Sequence, residues 1–249
     1  SVIQEPPEMN YILFHLIFTI PLLLILFYLR PALPSERKKY FKIGLLLMTL
    51  TAVIYTTPWD AFLISQGVWF YGENVVTYSL AGVPLGEYLF FVIQTIGTGL
   101  WLYYSGFDPS KTSKASIFGN LGLSIPSITV TLLGVYLLSL GQGNYFYLGS
   151  ILAWAGPVIA IQWAFGGEKL WEQKRNFFKA IAIPTIYLWI IDRIALEQGL
   201  WTIATETRTG IELLGLPIEE AIFFLATNLM VVQGLILYEW IMKVKSNEK

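Results

Sequence analysis

Trp59-Asp60, then Gly67-Val68-Trp69, then Pro84-Leu85-Gly86-Glu87-Tyr88-Leu89-Phe90-Phe91 is the stretch that decides the fold, because the chain carries it twice. The second copy is Asp192, Gly199-Leu200-Trp201 and Pro217-Ile218-Glu219-Glu220-Ala221-Ile222-Phe223-Phe224. The offset between copies is the same at Asp60/Asp192, Gly67/Gly199 and Trp69/Trp201, and longer by a single position from Pro84/Pro217 to Phe91/Phe224. One inserted residue in the connecting loop accounts for the difference, and chance does not plausibly align so many positions. A duplicated unit that sets carboxylates and aromatics at matching places in both halves points to one site built between two pseudo-equivalent modules.

Outward from the repeat, the composition places the chain in a membrane. Of 249 residues only 13% are charged, and the mean hydropathy is +0.59, too little polar surface to cover a soluble globule. Apolar runs long enough to cross about 30 Å of hydrocarbon extend from Tyr11 to Leu29, Phe41 to Ile64, Leu85 to Tyr104, Phe118 to Leu140, Tyr145 to Phe165, Phe177 to Leu196 and Ile218 to Met242. The expected fold is therefore all-α: one membrane domain over residues 1–249, a bundle of seven transmembrane helices. The repeated motifs sit on the second and third helices, then on the sixth and seventh. Copies four helices apart share an orientation, so the expectation is a parallel, three-plus-one-plus-three duplication: one half over about 11–104, a linking helix over about 118–140, and a second half over about 145–242.

Charge sets the orientation, because Lys and Arg are retained on the cytoplasmic side during insertion. Of the 16 Lys and Arg, only Arg193 and Arg208 fall on the side of the motif loops. The rest flank the other loops (Arg30 to Lys42, Lys111 and Lys114, Lys169 to Lys179) or close the sequence at Lys243, Lys245 and Lys249. This predicts an integral membrane protein, multi-pass, with the N-terminus outside and the C-terminus cytoplasmic. Glu5-Pro6-Pro7-Glu8 before the first apolar run is not the basic start of a signal peptide, so that run is read as a spanning helix. With no cysteine, disulfides, thiolate metal sites and cysteine nucleophiles are excluded. A net charge of −1 gives no indication of a nucleic-acid partner; the basic loops follow from topology alone.

Glu87, Glu219 and Glu220 each follow a proline at the start of a helix. Proline at the first position and glutamate in the first turn are common helix starts in any protein. Here the pattern recurs and runs straight into Phe-Phe and hydrocarbon, where ionisable groups are expensive. Asp60 and Asp192 are the second carboxylate set, with an ion pair from Arg193 or Arg208 as the ordinary explanation for Asp192. Five carboxylates against two bases predict that some hold a proton at neutral pH. Gln94 and Thr227 lie seven residues after Glu87 and Glu220, on nearly the same helical face, and could bond the acids or a ligand, though such residues more often join helices. Trp69 and Trp201 recur beside the acids, where their π faces could stabilise a developing cation, at roughly 0.5–2 kcal/mol per contact. Trp101, Trp171 and Trp240 are read as interfacial belt residues. His15 is read as a hydrogen-bonded bundle residue. Aromatic and β-branched residues from Trp69 to Tyr71 and from Val75 to Tyr78, around a turn at Gly72-Glu73-Asn74, predict a short outer β-hairpin, with an equivalent over Ile203–Ile211.

Dinucleotide and Walker loops are absent, as is His-x-x-Glu metal spacing. The last apolar run has no lysine, so a retinal Schiff base is excluded. Pro217-Ile218-Glu219-Glu220 before Phe223-Phe224, with Pro84-Leu85-Gly86-Glu87 before Phe90-Phe91 and Trp59-Asp60 before Gly67-Val68-Trp69, resembles the membrane-integral lycopene cyclase family over nearly the whole chain. Two halves in one chain look like the fused form.

The resemblance implies a carotenoid cyclase, a lycopene β-cyclase by preference, that turns the ψ-ends of lycopene or a related linear carotenoid into β-ionone rings without net redox change. A neutral carboxylic acid protonates the terminal double bond, the tertiary cation attacks the internal double bond, and a carboxylate removes a ring proton. It implies catalytic roles for Glu219, Glu220, Glu87, Asp60 and Asp192, with Glu219 and Glu220 as principal acids. A substrate-binding wall of Trp69, Trp201, Phe90, Phe91, Phe223, Phe224, Gln94 and Thr227 follows. Gly86 stands where that family has a glutamate, leaving Glu87 alone in the first half. The net chemistry needs no cofactor and no metal; a reduced flavin or nicotinamide in a non-redox role stays open, as does association with other carotenoid enzymes. The alternatives are a carotenoid 1,2-hydratase or an ε-cyclase, and, outside enzymes, a proton-coupled transporter or non-retinal sensor.

Overall fold

A computed structural model describes residues 7, 9–30, 32–108 and 117–247; Glu5, Pro6, Glu8, Lys111, Lys114 and Lys249 lie outside it. The described chain is mostly helical. Its elements are α1 (Tyr11–Leu29), α2 (Ser35–Ser65), β1 (Trp69–Tyr71), β2 (Ser79–Leu80), β3 (Val83–Pro84), α3 (Leu85–Tyr104), α4 (Leu121–Ser139), α5 (Phe146–Glu172), α6 (Lys174–Glu197), β4 (Trp201–Ile203), β5 (Glu212–Leu213), β6 (Leu216–Pro217) and α7 (Ile218–Asn247). Six of these helices, all but α6, are long and apolar enough to cross a membrane. At 24 residues α6 is also long enough, about 36 Å at 1.5 Å per residue, but it carries Lys174, Arg175 and Lys179 at one end and Asp192 and Arg193 at the other. Helical backbone continues past the apolar runs: α2 begins at Ser35 and α5 ends at Glu172.

The helices surround two central ones. α3 packs against α1, α2, α6 and α7, and α7 against α5, α6, α2 and α3. α4 packs chiefly on α5, through glycines that allow close approach. A Cβ on Gly134 would collide with the Ala153 backbone nitrogen, and one on Gly156 with Thr131 Oγ1. Pro21 follows a π-helical turn over His15–Thr19, where His15 Nε2 donates to Gly86 O at 2.9 Å; His15 is thus a bonded bundle residue. Trp240 is a correction to the interfacial reading: it is buried, its ring against Phe165 and beneath Lys169. α7 is central, so its aromatic faces the bundle rather than the headgroups.

The motif glycines end helices. Gly67 and Gly199 have φ +69° and +68°, and each is held by a Schellman pair: Gly67 N→Ile64 O with Val68 N→Leu63 O, and Gly199 N→Leu196 O with Leu200 N→Ala195 O. The chain then turns at once into β1 or β4, which fixes where Trp69 and Trp201 start.

The expected hairpin from Trp69–Tyr71 to Val75–Tyr78 does not form. β1 pairs instead with β4 of the other half, antiparallel, with Phe70 opposite Thr202. Gly72 N→Leu200 O and Ala204 N→Val68 O extend the ladder at both ends. Phe70 and Thr202 occupy the same position in their two copies, so the strand pair lies across an approximate two-fold axis. The local hairpins are β2–β3 and β5–β6. Their two-residue turns, Ala81-Gly82 and Leu214-Gly215, have both residues at positive φ, the type I′ pattern that matches strand twist. Non-glycine residues at the first turn position concealed them from the sequence.

Candidate functional site

Both strand ends and the starts of α3 and α7 converge beneath this two-stranded cap. Pro84 and Pro217 end β3 and β6 and begin the helices, so Glu87 and Glu220 fall in the first turn of α3 and α7. Asp60 and Asp192 reach the same place from the last turns of α2 and α6. All four carboxyls line one cavity, and among the described residues no Lys, Arg or His lines it. Its wall is aromatic, with Trp69, Trp201, Phe90, Phe223 and Phe224 all present.

Hydrogen bonds divide the four acids into unlike halves. Tyr71 OH donates to Glu87 Oε1 at 2.8 Å and receives Trp69 Nε1 at 2.9 Å. Burial first, and then the Glu87 charge, holds the Tyr71 phenol well above its usual range, so it serves as a donor throughout the neutral region. The counterpart of Tyr71 is Ile203. Lacking a phenol to bond, Trp201 Nε1 turns to Asp192 Oδ1 at 2.9 Å. Glu220 Oε1 instead accepts Tyr147 OH at 2.8 Å. Tyr147 and Tyr11 are themselves counterparts: Tyr147 N bonds Thr207 O at 3.0 Å and Tyr11 N bonds Val75 O at 3.1 Å, and the two acceptors are separated by the same offset as the motif tryptophans. The Tyr11 hydroxyl also reaches Glu87. Asp60 Oδ2 and Asp192 Oδ2 are buried with no hydrogen-bond partner.

Other expected residues lie elsewhere. Glu219 is fully buried but does not line the cavity; its Oε1 accepts Thr209 N at 2.7 Å and secures the loop before β5. Gly86 is its counterpart. A Cβ there would run into the Tyr11 ring, so the missing side chain makes room for Tyr11 to enter the cavity. Asp192 has no ion pair with either arginine, for Arg193 binds Glu197 at 2.6 Å and Arg208 binds Glu212 at 3.0 Å. Gln94 joins helices, its Nε2 donating to Asn228 Oδ1 at 2.7 Å, and Asn228 Nδ2 continues to Thr185 Oγ1 at 3.0 Å. Thr227 Oγ1 donates to Phe224 O at 3.0 Å within α7. Phe91 and Thr227 face a separate apolar cleft, and Gln94 borders it too.

Tyr11, Tyr71 and Tyr147 were missed in the sequence. Tyr71 stands two residues after a motif tryptophan but has no tyrosine counterpart. Tyr11 and Tyr147 open α1 and α5, outside the repeated motif.

The family model described as lycopene cyclase matches this chain twice, over residues 9–105 and 144–241. A protein named lycopene beta-cyclase from Halobacterium salinarum is 42% identical over 214 residues, covering 84% of this chain and 86% of that protein. Proteins named bifunctional lycopene cyclase/phytoene synthase are 34% identical over 243 residues in Aspergillus oryzae and 37% over 236 residues in Gibberella fujikuroi. These alignments cover 93% and 91% of this chain and 40% of each fungal protein. No solved structure matches the chain.

Proposed function

Because the chain belongs to the lycopene cyclase family, we propose that it closes the linear ends of lycopene into β-ionone rings, with the four-carboxyl cavity as the place of protonation and deprotonation. The observation that carries this reading is the meeting of Asp60, Glu87, Asp192 and Glu220 in one aromatic-walled cavity lined by no cationic side chain among the described residues. Four ionised carboxylates there would be prohibitively costly, so the group holds protons in common and can deliver one to an apolar substrate.

The end group lies with its terminal double bond against Glu220. The Glu220 carboxylic acid gives its proton to that bond and leaves a tertiary cation. The internal double bond attacks the cation, closing the six-membered ring and moving the positive charge to the neighbouring ring carbon. Glu87, which receives the Tyr71 hydroxyl, takes the proton from the ring carbon that formed the new bond. One proton enters, one leaves, and no electrons are exchanged. Between turnovers the glutamates exchange protons with solvent, Asp60 and Asp192 sharing the protons of the group. Trp69, Trp201 and the phenylalanines face the cation and keep out water, whose capture would give the hydrated product instead.

The same reading includes seven spanning helices with α6 as the seventh, a three-plus-one-plus-three duplication, and the cavity at the extracytoplasmic end. It is supported by the family model matching twice and by bonds that recur at corresponding positions. Expression in a lycopene-accumulating host tests the activity. Chromatography and mass spectrometry should show β-ringed products of unchanged mass. A product heavier by one water, or unconverted lycopene beside correctly inserted protein, would overturn it.

A further inference from the structure

Two apolar clefts adjoin the acid cavity, and corresponding residues of the two halves line them. One lies among α1, α3 and α6; the other is walled mainly by α2, α5 and α7. Pro184 and Tyr187 line the first, and their first-half counterparts Ala52 and Tyr55 line the second. Phe90, Gln94 and Gly97 line the first, and their second-half counterparts Phe223, Thr227 and Met230 line the second.

The helices flanking each cleft are joined by the same bond. Tyr187 OH donates to Phe18 O across α6 and α1, and Tyr55 OH donates to Trp154 O across α2 and α5. Both clefts border the acid cavity. The first shares Phe90 and Leu188 with it, and the second shares Phe90 and Phe223. Along α3 the first cleft extends from Phe90 to Trp101, about 16 Å at 1.5 Å per residue.

We propose that these clefts are two alternative seats for the unreacted polyene of the substrate, either of which holds the chain while one end group occupies the acid cavity. The inference rests on the cyclase reading. A conjugated chain is stiff and cannot coil within the cavity, so the part beyond the reacting end must leave by an apolar path. Two apolar clefts made from corresponding residues lie beside the cavity to receive it. One acid cavity serves both, so each visit closes one ring. A bicyclic product then requires the half-finished molecule to turn end for end, and entry is equivalent from either side. Gln94 lines both clefts and, held by Asn228, stands between them.

Gly97→Phe and Ala52→Phe would each plug one cleft. A Cβ on Gly97 meets only Leu23 Cδ1, at 4.0 Å, so the new ring has room to enter. The test uses the full chain carrying Glu220→Gln, which should bind lycopene without converting it. The protein is purified in detergent from lycopene-containing membranes, and bound pigment per protein is read by absorbance. Either plug alone should leave pigment bound, and both together should remove it. Loss of pigment with one plug alone, or retention with both, would overturn the two-seat proposal. Gly97→Leu with Ala52→Leu repeats the comparison with less bulk, and monodisperse elution shows that each variant is folded. Failure of the unplugged Glu220→Gln protein to bind lycopene would instead count against the cyclase reading itself.

Discussion

Glu220 and Glu219 are neighbours with opposite surroundings, and single substitutions should separate them. Glu220→Gln keeps the size and the Tyr147 contact but has no acidic proton to give, so product formation should vanish while the protein inserts and elutes normally. Glu219→Gln should retain cyclisation, because an amide oxygen still accepts Thr209 N. Glu219→Ala should cost about 1 kcal/mol of stability by removing the acceptor of that part-buried N–H, read as a lowered unfolding midpoint in detergent. Substantial cyclisation by Glu220→Gln, or its loss in Glu219→Gln, would reverse these roles. The sequence marked both glutamates as acids because each follows the same proline. Which one faces the cavity depends on where the Thr209 loop returns, a contact set by tertiary packing. The glycine at position 86 removes no acid from the cavity, for its counterpart Glu219 does not line the cavity either, and the space at Gly86 is used by Tyr11.

The helices were legible because apolar runs need only be long enough, whereas the strands depend on partners the local pattern does not name. β1 reads as half of a hairpin, yet its mate is β4 in the other copy of the repeat, and alternation within the strand cannot reveal that. The β2–β3 and β5–β6 turns were hidden for another reason: Ala81 and Leu214 occupy left-handed conformations, φ 52° and 53°, that neither residue favours. Asn suits that position before glycine. Ala81→Asn and Leu214→Asn should each stabilise the protein by up to about 1 kcal/mol, seen as a raised thermal midpoint with activity unchanged. A lowered midpoint would mean that Leu214, almost fully exposed here, is covered by something the isolated chain lacks.

At the scale of the molecule, the repeat places two unlike halves around one cavity. The repeated motif supplies the matched carboxyls, and its departures, Tyr71 against Ile203 and Gly86 against Glu219, give the two glutamates the different surroundings on which the proposed acid and base roles rest. The basic loops predict an orientation with the motif loops outside, in which a cysteine at Ser79 in intact cells should react with an impermeant maleimide and one at Lys38 should not. The reverse pattern would place the acid cavity at the cytoplasmic end. The central claim is that carboxyl protons close the ring without electron transfer, and cyclisation of lycopene by the purified protein in heavy water tests it most directly. Mass spectrometry should find one deuterium retained per ring, with no reductant consumed in proportion to product. A ringed product without deuterium, or one formed only with a molar equivalent of reductant, would contradict the account.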